Sequence, residues 1–344
     1  MKLRIYTESY NKDLFRAAYF LEKKGKLSID LISSRFLSNL YSGMKGKKVY
    51  SPFKSLTAPI KLLFSKNILL AFAPYSSSIY LMYILKLLGK NIIYHTSWPY
   101  WDGTKYVKKP NFVTKKLWES FLNNTKTICS TNKTKKEVER FGALGFHTPH
   151  SVDCSLFSPG KKKNHVTVLY VGRMNEEKGV LLLLDAIENV KSKNVKFVFV
   201  GRGPLDSLIH DKSKTLPIEH LGFIKDRKEM AEIYARSDVL VSNSYATNDW
   251  EELFGIVLIE AMACGLPVIS TDCVGPKEIV ENNQNGFLIP QKNNKALLEK
   301  LNLLIKDKKL RNKYGANSRV LAMKKYSVEK IANDWLEIIK CKSQ

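Results

Sequence analysis

Strand-length apolar runs alternate with stretches of helical period along nearly the whole of this chain, and that alternation admits few architectures. The strand candidates in the first half are Leu3–Tyr6, Ser28–Ser33, Ile68–Phe72, Asn91–His95 and Thr127–Cys129. Those in the second half are Val166–Val171, Val195–Val200, Ile218–Leu221, Val239–Ser242, Pro267–Ser270 and Gly286–Ile289. Helical patterns such as Val180–Val190 and Arg227–Arg236 separate them. Strands that alternate with helices imply parallel sheets covered on both faces, hence an α/β fold. A chain of 344 residues exceeds what one apolar core usually serves, so two such domains are expected.

The turn-rich segment Thr148-Pro-His-Ser-Val-Asp-Cys-Ser-Leu-Phe-Ser-Pro-Gly160 is the clearest joint between them. It divides a first domain, residues 1–150, from a second, residues 151–325. After Lys295 the pattern is helical to the end, broken near Gly315 and Ser327. Residues 326–344 are expected to form a C-terminal helix that packs back on the first domain. The most apolar stretch, Ile68 to Leu88, has roughly the length of a membrane span. Pro74 and the serines Ser76 to Ser78 interrupt it, so it reads as a buried strand, a turn and a helix over Ile79–Leu88.

Charge separates the two halves. Residues 1–150 hold 26 Lys and Arg against 8 Asp and Glu, a balance of +18, whereas residues 151–344 hold 30 against 24, a balance of +6. No acidic residue occurs between Asp30 and Asp102. A solvated Lys-rich face, a nucleic-acid surface and docking on anionic lipid are the competing readings. The one-sidedness favours a polyanionic partner for the first half, and an anionic membrane surface is the expectation. No nucleic-acid motif is present, so no nucleic acid is expected. The five cysteines are widely spaced with no CxxC pair, which suggests neither a disulfide framework nor a zinc site. A cytoplasmic protein, peripheral on the inner membrane face, is expected.

Two motifs carry chemistry. In Tyr170-Val-Gly-Arg-Met-Asn-Glu-Glu-Lys-Gly179 a strand ends at Val171, Gly172 allows a tight turn and a helix begins near Glu176. Arg173 and Lys178 then stand at the C-terminal end of a parallel strand, where open α/β sheets bind ligands. Two cations beside a helix N-terminus make a seat for a diphosphate. The second motif is Trp250-Glu-Glu-Leu-Phe-Gly-Ile-Val-Leu-Ile-Glu-Ala-Met-Ala-Cys-Gly-Leu-Pro-Val-Ile-Ser270. Gly255 permits an unusual backbone at a helix start, and Glu260 lies within the apolar helix that follows. A buried carboxylate there needs a partner, for which a ribose diol is one candidate and a structural salt bridge the other. Glu252 precedes the helix as a ligand contact or a surface acid. Either motif alone is weak.

Taken together they resemble the retaining family 4 glycosyltransferases, the group 1 glycosyl transferases of the GT-B fold. Val200-Gly-Arg-Gly-Pro-Leu205, His220-Leu-Gly-Phe-Ile224, Met230 to Ser242, Asp272-Cys-Val-Gly-Pro-Lys-Glu-Ile279 and Asn285-Gly-Phe-Leu288 agree in order and spacing. The resemblance is strong over Ser151 to Ile289. It implies two Rossmann-like parallel-sheet domains facing each other across a cleft. It gives Arg173 and Lys178 the donor diphosphate, Glu252 the transferred sugar and Glu260 the ribose hydroxyls. Leu253, Phe254 and Gly255 would offer backbone amides to phosphate or sugar, with Ile256 near the nucleotide. Gly222, Phe223 and Ile224 would lie by the base.

The first domain departs from the family pattern, because Thr7-Glu-Ser-Tyr-Asn-Lys-Asp13 contains no glycine. Ser9, Tyr10 and Lys12 are acceptor-pocket candidates there. In Tyr94-His-Thr-Ser-Trp-Pro-Tyr-Trp-Asp-Gly103, His95 follows a strand where the family often faces a histidine to the sugar. Trp98 and Trp101 are candidates for stacking on a glycan, against the plainer reading of aromatics packed under a loop. There is no Asp-x-Asp, P-loop or HExxH, so no metal and no cofactor are expected. The function expected is a hexosyltransferase that moves sugar from a nucleoside diphosphate donor to a glycan or lipid-linked acceptor. A sugar-nucleotide epimerase of the same fold is the alternative.

Overall fold

A computed structural model describes residues 1–8, 12–33, 60–102, 105 and 110–341. The chain divides into two compact units, Met1–His150 with Ile331–Gln344, and Ser151–Lys330. Among the described residues each unit contains one six-stranded sheet, and every strand pair in it is parallel.

The first unit runs β1 (Lys2–Thr7), α1 (Arg16–Lys23), β2 (Ser28–Ser33), β3 (Asn67–Ala71), α2 (Ile79–Leu87), β4 (Asn91–Thr96), α3 (Phe112–Leu122), β5 (Lys126–Cys129), α4 (Asn132–Glu139) and β6 (Leu144–His147). Its strand order is β2-β1-β3-β4-β5-β6. The strands are apolar on both faces, as parallel strands under helices must be. Ile68 and Leu70 of β3 enter one core with Trp118 and Met82, while Leu69 and Ala71 enter the other with Leu3 and Ile5. The long apolar stretch resolves into β3, a turn and α2, and among the described residues no helix is long and apolar enough to cross a membrane. Strand β6 escapes a sequence reading because it is an edge, pairing with β5 and carrying exposed or half-buried residues.

The second unit runs β7 (Val166–Val171), α5 (Val180–Glu188), β8 (Val195–Val200), α6 (Asp206–Ser213), β9 (Ile218–Gly222), α7 (Arg227–Arg236), β10 (Val239–Ser242), α8 (Ile256–Ala263), β11 (Val268–Thr271), α9 (Pro276–Ile279), β12 (Gly286–Ile289), α10 (Asn294–Lys306) and α11 (Lys308–Leu321). Its order is β12-β11-β10-β7-β8-β9. Asp226 caps α7 by accepting from the amides of Lys228 and Glu229, and Asp307 caps α11 through Leu310.

Two sequence readings change here. The break expected near Gly315 is absent, for α11 runs straight through it. Gly315 is needed for contact instead, since a Cβ there would lie 2.3 Å from the Gly265 carbonyl oxygen. Ser327 does interrupt the helices, with extended backbone (ψ 142°) and a bridge to Val152. The turn-rich segment after His150 is held rather than solvated. Val152 and Phe157 are buried, and Arg319 donates to the carbonyls of Cys154, Phe157 and Ala263.

Helix α12 (Val328–Lys340) begins in the second unit and belongs to the first from Ile331 onward. Ile331, Trp335, Ile338 and Ile339 recur at helical spacing and join the core of Leu3, Ile5 and Ile128. The buried Lys126 ammonium donates to the Cys341 carbonyl at 2.7 Å and so caps the end of that helix.

Candidate functional site

Strand order locates the site in the second unit. From β7 the chain steps outward through β8 and β9, then returns to the other side of β7 for β10, β11 and β12. Such a reversal opens a crevice at the C-terminal ends of the two strands where it occurs, here β7 and β10. The loop after β7 carries Arg173 and Lys178, and the loop after β10 carries Glu251 and Glu252. Backbone ties hold the loops together. The Asn243 side chain donates to the Gly179 carbonyl at 2.8 Å, and the Tyr245 amide donates to the Glu177 carbonyl at 2.9 Å.

Across the crevice the Lys178 ammonium meets the Glu252 carboxylate at 2.5 Å, with both side chains largely covered. The same ammonium lies 4.6 Å from the centre of the Trp250 ring, a cation–π contact. Buried Tyr170 braces the loop from beneath, its hydroxyl donating to the carbonyls of Arg173 (3.0 Å) and Lys178 (3.3 Å). Burial, with Glu252 nearby, pushes that phenol far above its ordinary value, so it stays a donor. Arg173, whose carbonyl Tyr170 holds, has an exposed side chain.

Glu252 is positioned from its other side as well. Its neighbour Glu251 is buried and accepts from the Val274 amide at 2.9 Å, while the Glu252 carbonyl accepts from Gly275. The loop after β11 therefore presents Glu252 toward Lys178. Phe254 is buried and Leu253 and Ile256 are half-buried at the start of α8. Gly255 occupies the N-cap with φ 96°, a left-handed backbone that costs a side-chain residue strain. No side chain caps α8; of its first amides, that of Leu258 donates to the Gly255 carbonyl at 3.0 Å.

Glu260 sits on α8 with its carboxylate 4% exposed, paired to Arg227 at 2.7 Å. Arg227 is the first residue of α7 and lies over the Phe157 ring at 4.7 Å. Each acid thus has its own cation, and of the two partners the sequence left open for Glu260 the structure shows a salt bridge. Arg227 was missed because nothing in its local sequence distinguishes it from a capping cation. Gly222 (φ 67°) ends β9, the turn after it holds a 66% exposed Phe223 and half-buried Ile224, and Arg202 reaches over Gly222 from just past β8.

The first unit has its own reversal, between β1 and β3. There Glu8, just past β1, accepts hydrogen bonds from the hydroxyls of Ser76 and Ser78, just past β3. The turn between includes Tyr75 in a left-handed backbone, φ 58°. The sequence did not single out Glu8, because no local signal joins position 8 to positions 76–78. Ser9 and Tyr10 lie outside the described residues.

His95 lies at the end of β4 but is 5% exposed, its ring against Phe15, His150 and Trp335. Burial lowers its pKa from the usual 6.5 to about 4 and that of His150 to about 3, so both are neutral near pH 7. The expectation that Trp101 stacks on a glycan is corrected: it is 1% exposed, 5.3 Å from Trp118 and 6.1 Å from Tyr94 by ring centres. A ring covered on both faces has none to offer a sugar. Trp98 is half-buried and its indole donates to the Tyr100 carbonyl at 2.9 Å. Among the described residues, no group of three or more His, Cys, Asp or Glu is placed to hold a metal ion.

Comparison with known proteins agrees on the second unit. The profile of the family "Glycosyl transferases group 1" matches residues 154–321. Spore coat protein SA of Bacillus subtilis is 29% identical over 64% of this chain and 59% of its own. A phosphatidyl-myo-inositol mannosyltransferase of Mycobacterium leprae is 29% identical over 59% of this chain and 55% of its own. The chain thus spans little more than half the length of these curated relatives. Among solved structures, Anabaena HepE in complex with UDP superposes with a TM-score of 0.73 at 18% identity, covering 98% of this chain and 99% of HepE.

Proposed function

Residues 154–321 belong to the glycosyl transferases group 1 and the chain has the GT-B fold, and on that premise we propose that this protein is a retaining, metal-independent hexosyltransferase using a nucleoside diphosphate sugar. The observation that carries the reading is the Lys178–Glu252 pair at the β7/β10 reversal, beside the side-chain-uncapped start of α8. A leaving diphosphate develops charge that fixed cations and helix-terminal amides stabilise without reorganising. Lys178, Arg173 and the α8 amides form such a set, with Glu252 within reach of the sugar they would hold. To Glu260, in the second turn of the same helix, we assign the ribose hydroxyls, and to Gly222–Ile224 the base.

For the acceptor we propose a hydroxyl of a glycan or lipid-linked sugar, met at the β1/β3 reversal by Glu8 and the Ser76 and Ser78 hydroxyls. For the transfer step we propose front-face attack by the acceptor hydroxyl, with the leaving phosphate taking the proton. The mannosyltransferase of M. leprae acts on a phosphatidylinositol by its name, which supports the lipid-linked reading.

A screen of UDP-, GDP- and ADP-sugars for protection against thermal unfolding tests the donor site, because a ligand that binds the folded chain raises its apparent stability. One class of donor is expected to raise the melting temperature; no response from any class would contradict the donor assignment. NMR of the product anomer tests retention, and an inverted product would overturn it.

A further inference from the structure

We infer that the outer face of α2, with the start of α3, is a docking surface for an anionic lipid bilayer. Helix α2 buries Ile79, Met82 and Leu85 against the sheet, yet its opposite side is also apolar. Tyr80, Ile84, Leu87 and Leu88 are 43%, 50%, 70% and 55% exposed. Their spacing of four, three and one residues puts them on one stripe of the helix, extended at Leu88 by its C-cap. Helix α3 lies alongside, with Tyr80 and Thr114 hydroxyls 3.2 Å apart, and adds Phe112 (75% exposed) and Val113 (57%) to the same end. Scattered exposed leucines are ordinary on a soluble protein, but a contiguous apolar stripe on a helix apolar all round marks an interaction site.

Charge selects the occupant. The α2 sequence holds no acid, and its Lys86 is turned away to donate to the carbonyls that end α3. On α3 the one acid, Glu119, is paired with Lys116 at 2.9 Å, leaving Lys115 exposed one helical turn from Phe112. Lys90 follows α2, and the stretch from Asp30 to Asp102 supplies no intervening negative charge. Apolar side chains that enter the headgroup layer while flanking lysines meet anionic lipid make an interfacial anchor. Another protein surface would have to offer an acidic rim around an apolar centre; an anionic bilayer offers both everywhere. The surface itself is independent of the transfer reaction, but the consequence that it brings a lipid-linked acceptor to the enzyme rests on that reading.

The test is sedimentation of the full chain with vesicles of phosphatidylcholine, alone or mixed with phosphatidylglycerol. Wild type is expected to sediment with the mixed vesicles and to be released by salt. The double variant Ile84→Gln/Leu87→Gln is expected to bind at least about tenfold more weakly, from the apolar area lost. Val320→Gln, which removes an equally exposed apolar residue from α11, is expected to bind like wild type. Equal binding by the double variant, or indifference to phosphatidylglycerol, would overturn the proposal. So would a dimer in solution that the double variant separates, for the face would then belong to a second copy. Thermal shifts by nucleotide sugars, recorded on the same proteins, are expected to be unchanged by the double variant. If no sugar shifts either protein while vesicle binding holds, the transferase reading fails and the docking surface stands.

Discussion

The two units share one architecture and solve opposite electrostatic problems. In the second, acids and bases nearly balance and charges are paired, Lys178 with Glu252 across the loops at the β7/β10 reversal and Arg227 with Glu260 between α7 and α8. In the first, the surface is overwhelmingly basic, and the groups at the end of β4 are neutral, buried and ringed by aromatics. A charged, loop-built site suits a charged ligand such as a nucleoside diphosphate. A neutral, apolar unit with a cationic exterior suits an acceptor held at an anionic surface. The loops at the two reversals differ accordingly: an ion pair, Lys178 with Glu252, in the second unit, and Glu8 accepting from the Ser76 and Ser78 hydroxyls in the first.

The comparison breaks most readily at Trp101. As a core residue of the first unit its replacement, Trp101→Ala, should cost about 3–5 kcal/mol of stability. Denaturant unfolding checks this; a stable variant with impaired transfer would return Trp101 to the sugar. Next is Lys178→Ala, expected to slow release of nucleoside diphosphate from the donor by roughly 10²–10³. Steady-state kinetics decide it, and a change below tenfold would remove Lys178 from the leaving-group set.

Acid sharpens the contrast from the other side. His95 titrates near 4 when folded and near 6.5 when unfolded, so the unfolded chain takes up the proton first. The stability these two rings contribute is fully present above about 6.5 and is lost as pH falls from there, through about 4 for His95 and about 3 for His150. His95→Gln should flatten that decline, provided it folds; thermal melts across the range measure it, and an unchanged slope would mean the ring is not the titrating group. The smallest effect is expected from Arg227→Ala. It leaves the Glu260 carboxylate buried without this partner and should cost about 1–3 kcal/mol, less for the exposure of Arg227. A neutral outcome by chemical denaturation would show that other neighbours satisfy Glu260.

Much of the second unit was legible in its sequence because its site is written in contiguous motifs. Arg173 and Lys178 share one loop, and Glu252, Gly255 and Glu260 share one loop and helix, so spacing alone orders them. Their partners were not legible. Arg227 meets Glu260 only through the packing of α7 on α8, and Glu251 acts through Val274, 23 residues away. In the first unit the chemistry is assembled from distant segments, as with Glu8 and Ser76, and no motif announces it. Local pattern also misjudged burial: Trp101 reads as a loop aromatic, yet Tyr75, Tyr94 and Trp118 enclose it. The broken helix at Gly315 failed for a related reason, since glycine there serves contact with Gly265 rather than flexibility.

In the proposed reaction the acids of the second unit have separate tasks, Glu252 at the sugar and Glu260 at the nucleotide. Glu252→Gln keeps the shape and removes the charge. Measured side by side on that variant, nucleoside diphosphate affinity should change by less than about threefold while donor turnover falls by roughly 10² or more. Equal losses in affinity and turnover would contradict the division, and with it the assignment of Glu252 to the transferred sugar.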